Sequence, residues 1–243
     1  VTPMGTIDAR WLEDRPIAHR GLHDAGRSIM ENSVSAFQAA IDGGYAIECD
    51  IHLSRDRVPV VFHDETLLRM TGVEGRVRDT DAQALAELTL GGTPDAIPTL
   101  RSLLDLVAAR VPLVIELKGL SADLDGEFIE IVAETIRGYP GALALMSFDE
   151  WLVEQAASVS LSVPFGLTAE GTRADVLKRH RVVFAGHCSF VSYNVHHLPN
   201  AFVDWIRDER HLPVISWTVR TPADVERSHR YADQMTFEGF VPS

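Results

Sequence analysis

Short apolar runs alternate with amphipathic stretches along the whole chain. Eight of these runs read as strands, at residues 16–21, 45–53, 112–118, 142–148, 164–168, 190–195, 213–219 and 232–238. The stretches between them carry helical spacing. Val34, Phe37 and Ile41 repeat on one face, as do Leu100, Leu103, Leu104 and Val107, and again Phe128, Ile131, Val132 and Ile136. Strands separated by helices predict βα units and a parallel sheet. Eight units in 243 residues predict an α/β fold of the (β/α)8 TIM type, as one domain over residues 1–243. An open doubly wound sheet is the alternative. No G-x-G-x-x-G opens a helix after the first strand, which disfavours a dinucleotide-binding version.

One segment breaks the alternation. Residues 53–63 read as a strand end, a tight polar turn and a returning strand, and residues 64–98 carry turn signals and one short helix around 81–88. This predicts a small insertion after the second strand, at about 64–98, on the face where the strands end.

Alternation along the second strand places Ile47, Cys49 and Ile51 on one face and Glu48 and Asp50 on the other. The apolar face suits the surrounding helices, which leaves two carboxylates pointing inward. Glu116 and Lys118 share the inward face of the next strand in the same way. Carboxylates this close are costly to bury unless a cation compensates. Three carboxylates form a hard oxygen ligand set suited to Mg²⁺ or Ca²⁺. Salt bridging to arginines at a solvated edge is the competing reading, and the pair taken alone does not decide between them. The first strand runs into His19-Arg20-Gly21, where His19 could serve as a general base or nucleophile and Arg20 could clamp a phosphate, a structural or surface pair being the competing reading of the two alone. Hairpin arithmetic at ~3.3 Å per residue returns His63 to about the level of Glu48 and Asp50. Glu31-Asn32-Ser33 precedes the first helix. Asn32 or Ser33 suits its N-cap, and Glu31 is placed to orient Arg20 or a histidine. Phe148 and Trp217 end strands and are uninformative alone.

Composition narrows the function classes. With 46% hydrophobic and 23% charged residues the chain has a globular protein's make-up, and a net charge of −13 argues against a nucleic-acid-binding surface. No apolar run reaches the ~18–20 residues of a membrane span, and two cysteines make no disulfide framework. A cytoplasmic location is the default expectation. The basic residues are 20 Arg and two Lys, one of them Lys118 beside Glu116.

Together, His19-Arg20-Gly21, Glu31-Asn32-Ser33, Glu48-Cys49-Asp50, Pro59-Val-Val-Phe-His63-Asp64, Thr66-Leu67 with Arg69, Ile97-Pro98-Thr99-Leu100, Glu116-Leu117-Lys118, Ser147-Phe148 and Trp217-Thr218-Val219 resemble the glycerophosphodiester phosphodiesterase family, in its order and spacing. The resemblance implies a TIM-type barrel and an enzyme of lipid metabolism. It implies hydrolysis of a glycerophosphodiester to glycerol 3-phosphate and an alcohol. It implies one divalent cation, Mg²⁺ or Ca²⁺, on Glu48, Asp50 and Glu116, with His19 and His63 as the catalytic pair. Arg20 and Lys118 would hold the phosphate with Glu31 beside them, and Phe148 and Trp217 would pack against the glycerol. The expected partner is a small phosphodiester, with no nucleic acid and no stable membrane insertion. Two positions depart from the family's pattern: Arg220 stands where Asn is common, and Glu238 where Asp is. The alternatives are a lysophospholipase D-like or sphingomyelinase D-like enzyme, with Leu67, Leu68 and Met70 as an apolar entrance or as the insertion's own core, and a catalytically silent barrel that binds phosphate esters.

Overall fold

The structure, a computed structural model, describes residues 7–185 and 187–242. The extreme ends of the expected 1–243 domain and residue 186 lie outside the described residues. The described chain divides into two compact units, one of Ala18–Ala142 and one of the residues before Ala18 and after Ala142.

The first unit carries helix α1 (Val34–Asp42), strands β2 (Ala46–Leu53) and β3 (Pro59–Val61), helices α2 (Leu68–Thr71), α3 (Ala82–Leu85) and α4 (Leu100–Val107), strand β4 (Leu113–Leu117) and helix α5 (Phe128–Ile136); β1 is only Ile17–Ala18. Strand β2 lies between a parallel partner, β4, and an antiparallel one, β3. Being covered on both edges and both faces, it is buried along seven of its eight residues. The β2–β4 register sets Asp50 directly opposite Glu116, and the β2–β3 register sets Ile51 opposite Val61. Phe62 N donates to Asp50 O at 2.9 Å, so the returning chain tracks β2 and delivers His63 one residue further on. The hairpin arithmetic is thereby met.

The first strand is shorter than the expected 16–21. After Ala18 the chain turns through Arg20 (φ 54°) and Gly21 (φ 77°), and Gly21 N donates to both Ala18 O and Glu48 O at 3.2 Å. A Cβ at Gly21 would lie 2.8 Å from the Ala36 carbonyl carbon, so only glycine allows the turn to seat this close to α1. Ser33 caps α1 by accepting from Ala36 N. The insertion has two short helices, α2 and α3, where the sequence pattern predicted one. It has its own core of Leu67, Met70, Val77, Ala82, Leu85, Leu90 and Ile97, continued by Val60 and Phe62. Leu67 and Met70 belong to that core, while Leu68 is exposed.

The second unit holds β5 (Leu143–Ser147), α6 (Glu150–Ser158), β6 (Phe165–Ala169), α7 (Ala174–Phe184), β7 (Phe190–Asn194), α8 (Ala201–Asp204), β8 (Val214–Val219), α9 (Pro222–Tyr231) and β9 (Gln234–Phe237). Strands β5 to β9 pair in sequence order, each parallel to the next, which is the ladder that repeated βα units build. Gly166 in β6 faces the Phe190 ring, which a Cβ would meet at 2.4 Å. Each of the eight expected runs contains an observed strand, with ends moved by at most two residues apart from the end of β1.

Candidate active site

The chemistry-bearing residues of the first unit converge at the ends of β2 and β4 and on the loop after β1. Glu48, Asp50 and Glu116 are 1%, 1% and 6% exposed, and each offers an oxygen within 4.8 Å of the others. They lie together because two parallel strands in direct register each put a carboxylate on the same face. Burial, with Asp50 and Glu116 adding like charge, pushes the Glu48 carboxyl well above the ordinary carboxylate range. Burial also pushes Glu116 up to about 7, against the opposing charge of Lys118. Asp50 goes the other way: burial disfavours its charge, but Lys118 and Arg20 outweigh burial and hold it below its usual value. The cluster is therefore a buried anionic site with one firmly ionised carboxylate and two whose ionisation needs more positive charge. An oxygen-only donor set with unmet negative charge fits a hard divalent cation.

Two basic side chains partly meet that charge. Lys118 Nζ lies 3.1 Å from Asp50 Oδ1 and also donates to Glu116 Oε1. Arg20 Nε lies 3.2 Å from Asp50 Oδ2, Arg20 Nη1 donates to Glu31 Oε1 at 2.8 Å, and its backbone N donates to Glu48 Oε2 at 3.0 Å. The positive φ of Arg20 thus serves two contacts at once: its amide is aimed at Glu48 and its guanidinium at Asp50. His19 Nε2 lies 3.9 Å from Glu48 Oε2.

His63 joins from the β3 side. Its Nδ1 pairs with Asp64 Oδ1 at 2.8 Å, which leaves Nε2 for chemistry, and its carbonyl is held by His52 Nε2 at 2.9 Å. Burial lowers the pKa of His63, so the neutral ring, able to accept a proton, is favoured near neutrality. Asp64 and Glu31 are then tied by one side chain. Arg69 donates to Asp64 Oδ2 at 2.5 Å and Oδ1 at 2.9 Å, and to Glu31 Oε1 at 2.6 Å and Oε2 at 3.1 Å. A continuous chain of contacts runs from His63 through Asp64, Arg69, Glu31 and Arg20 to Asp50.

The eight expected residues of this unit, His19, Arg20, Glu31, Glu48, Asp50, His63, Glu116 and Lys118, are therefore assembled. Phe148 and Trp217 belong to the second unit and meet there edge to face, with ring centroids 5.2 Å apart. The two positions that depart from the family's pattern pair with one another. Arg220 Nη2 and Nε reach the Glu238 carboxylate at 3.1 and 3.3 Å, a two-pronged ion pair.

Three residues with clear roles escaped the sequence reading. Asn32 (2% exposed) donates to Asp50 Oδ2 at 3.0 Å, and its φ of 55° is one that asparagine tolerates better than most side chains. It was one of two candidates for the cap of α1, and Ser33 takes that place. His52 continues the inward face of Glu48 and Asp50, a signal present in the alternation but not used. Arg69 was seen as part of a motif without a role.

Comparison with known proteins follows the same lines. The profile of the glycerophosphoryl diester phosphodiesterase family matches residues 19–240. Bacillus subtilis YhdW, whose name places it provisionally among the glycerophosphodiester phosphodiesterases, is 29% identical over 214 residues, 84% of this chain and 85% of its own. An Oleispira antarctica phosphodiesterase, whose structure holds the product sn-glycerol 3-phosphate, superposes with a TM-score of 0.78 over 92% of each chain at 22% identity. The glycerophosphodiester phosphodiesterase of Thermotoga maritima superposes with a TM-score of 0.72 at 25% identity, over 91% of this chain and 92% of its own. The fold class is the expected one, α/β of the (β/α)8 TIM type, with β3 added against β2.

Proposed function

The chain belongs to the glycerophosphoryl diester phosphodiesterase family, and we propose that it hydrolyses glycerophosphodiesters to glycerol 3-phosphate and an alcohol with one divalent cation and the pair His19 and His63. As a member of that family it is a glycerophosphodiester phosphodiesterase. The observation that carries the reading is the buried group of three carboxylates with Arg20 and Lys118 against it. Glu48, Asp50 and Glu116 would hold Mg²⁺ or Ca²⁺. A bound cation supplies Lewis-acid polarisation of the phosphoryl oxygens and neutralises part of their charge.

The remaining work falls to the chain's own residues. A water oxygen bonds to phosphorus while the P–O bond to the alcohol breaks in line. One histidine of the pair takes the proton from the water and the other returns one to the departing alkoxide. Asp64 on Nδ1 holds His63 in the tautomer and orientation this requires. Arg20 and Lys118 take the charge that builds on the non-bridging oxygens, which a preorganised guanidinium and ammonium do without reorganising. Phe148 and Trp217 would pack against the glycerol. We propose one domain over residues 1–243 and a cytoplasmic setting. Cys49 and Cys188, both buried and unbridged, agree with that setting. Among the described residues no helix is long and apolar enough to cross a membrane.

Release of glycerol 3-phosphate from glycerophosphoglycerol or glycerophosphocholine tests this. Activity is expected to disappear with EDTA and return with Mg²⁺ or Ca²⁺. A purified, metal-replete sample that cleaves neither substrate would overturn the reading.

A further inference from the structure

Beside the carboxylate cluster lies a cavity of about 140 Å³ whose lining includes His52, Arg55, Arg57, Arg78, Lys118 and Asp125. It shares two walls, His52 and Lys118, with the site already described. Four of its lining residues are basic, in a chain whose net charge is −13. Their own partners differ in a way that matters. Arg55 is taken: its guanidinium makes two hydrogen bonds to Asp81. The lining carboxylate Asp125 is taken too, accepting from Leu120 N at 2.7 Å and Ser121 N at 3.0 Å. Among the described residues Arg78 has only a long ion pair, 3.8 Å from the adjacent Asp79, which is mostly exposed. Arg57, its side chain 40% exposed, pairs through Nη2 with the exposed Glu127 Oε2 at 3.4 Å, while its buried Nε donates no hydrogen bond among the described residues. Buried guanidinium donors without an acceptor are rare in folded proteins and mark a place where an anion or another acceptor belongs.

The cavity is lined by the turn that joins β2 to β3, the insertion and the loop after β4, and it adjoins Lys118, which the reading above places on the phosphate, while that reading gives the glycerol to Phe148 and Trp217. A group there would be attached to the phosphate rather than be the phosphate itself. We propose that Arg57 and Arg78 form a subsite for a negatively charged leaving alcohol, so that the enzyme prefers glycerophosphodiesters whose alcohol carries its own anionic group. The proposal rests on the phosphodiesterase function given above and adds the substrate class. A neutral or cationic alcohol leaves the two guanidinium groups to solvent and the exposed Glu127. An anionic alcohol supplies an acceptor for the buried Arg57 Nε and a closer counter-charge for Arg78.

The test compares kcat/KM for three probes: glycerophosphocholine, glycerophosphoglycerol, and glycerophosphoglycerol bearing a terminal phosphate. The wild type is expected to favour the phosphorylated probe. Arg57→Gln and Arg78→Gln should each lower the ratio of kcat/KM on that probe to kcat/KM on glycerophosphoglycerol by about ten-fold, the value of one hydrogen-bonded charge pair. Arg55→Gln, whose charge Asp81 already holds, should change the ratio much less. The melting temperature of each variant separates loss of fold from loss of recognition, because a ratio of two substrates on the same sample does not depend on the fraction folded. Equal wild-type kcat/KM on all three probes, or a ratio that neither variant lowers, overturns the subsite while leaving the phosphodiesterase function intact. No cleavage of any probe by the wild type overturns both.

Discussion

Replacing Asn32 isolates the part of the site that holds Asp50. Asn32 donates a 3.0 Å hydrogen bond to a fully buried, ionised carboxylate, from a left-handed backbone. Asn32→Ala removes a hydrogen bond to a charged group, worth about 1.5–3 kcal/mol. It also forces a Cβ-bearing residue without a local polar contact into the left-handed region, at about 1–2 kcal/mol. The sum is about 2.5–5 kcal/mol. At about 2–4 °C per kcal/mol for a chain of this size, the melting temperature should fall by about 5–20 °C. Asn32→Gly removes the same hydrogen bond without the steric cost and is expected to fall between wild type and Asn32→Ala. Both are measured by thermal and urea unfolding with EDTA present, so that a bound cation adds nothing to either protein. Two results would refute the reasoning. A loss below about 1 kcal/mol in both variants means that the Asn32–Asp50 bond contributes no net stability. A glycine variant less stable than the alanine one means that the left-handed backbone is not the constraint described.

Other outcomes follow from the same geometry. His19→Ala and His63→Ala should each lower turnover by orders of magnitude with little loss of stability, and unchanged kcat in either removes its assigned role. Glu48→Gln should weaken binding of Mg²⁺ or Ca²⁺ in calorimetry, because one of three anionic donors is lost; undiminished affinity would remove Glu48 from the ligand set. Leu85→Ala empties a fully buried position in the insertion's core and should cost about 2–5 kcal/mol in unfolding, and a cost near zero would mean that the insertion is not packed as described. Hydrogen bonds from Arg69, offset in part by burial, hold Asp64 down to about 2 from its ordinary 3.8. Since its folded pKa is depressed, its contribution is full above pH 3.8 and is lost as pH falls towards 2. The stability advantage of wild type over Asp64→Asn should therefore be present at neutral pH and close across that window, and a gap independent of pH would contradict the ion-pair origin.

Much of the fold and of the site could be read directly from the chain. Strand and helix periodicities depend on neighbours two to four residues apart, so they survive in sequence without knowledge of what packs against them. The same alternation turned Glu48 and Asp50 to one face and Glu116 and Lys118 to another, and residue counting along a hairpin returned His63 to their level. The ordered motifs then identified the family, because many short signals in the right order are far more specific than any one.

What packing alone decided are the partners of individual side chains. No periodicity states that Ser33 rather than Asn32 caps α1, which frees Asn32 to hold Asp50 across 18 residues of chain. Nothing local links Arg69 to Glu31, 38 residues away, or pairs Arg220 with Glu238. The first strand ends two residues in because Gly21 must seat against Ala36, a contact with no trace in the hydrophobic pattern. Hydrogen-bond partners and turn positions are chosen by distances of about 3 Å between segments far apart in sequence, and those distances exist only once the strands have set the register. The chain by itself marked out the candidate residues; the register of β2 with β4 and the seating of the loop after β1 determined which of them touch.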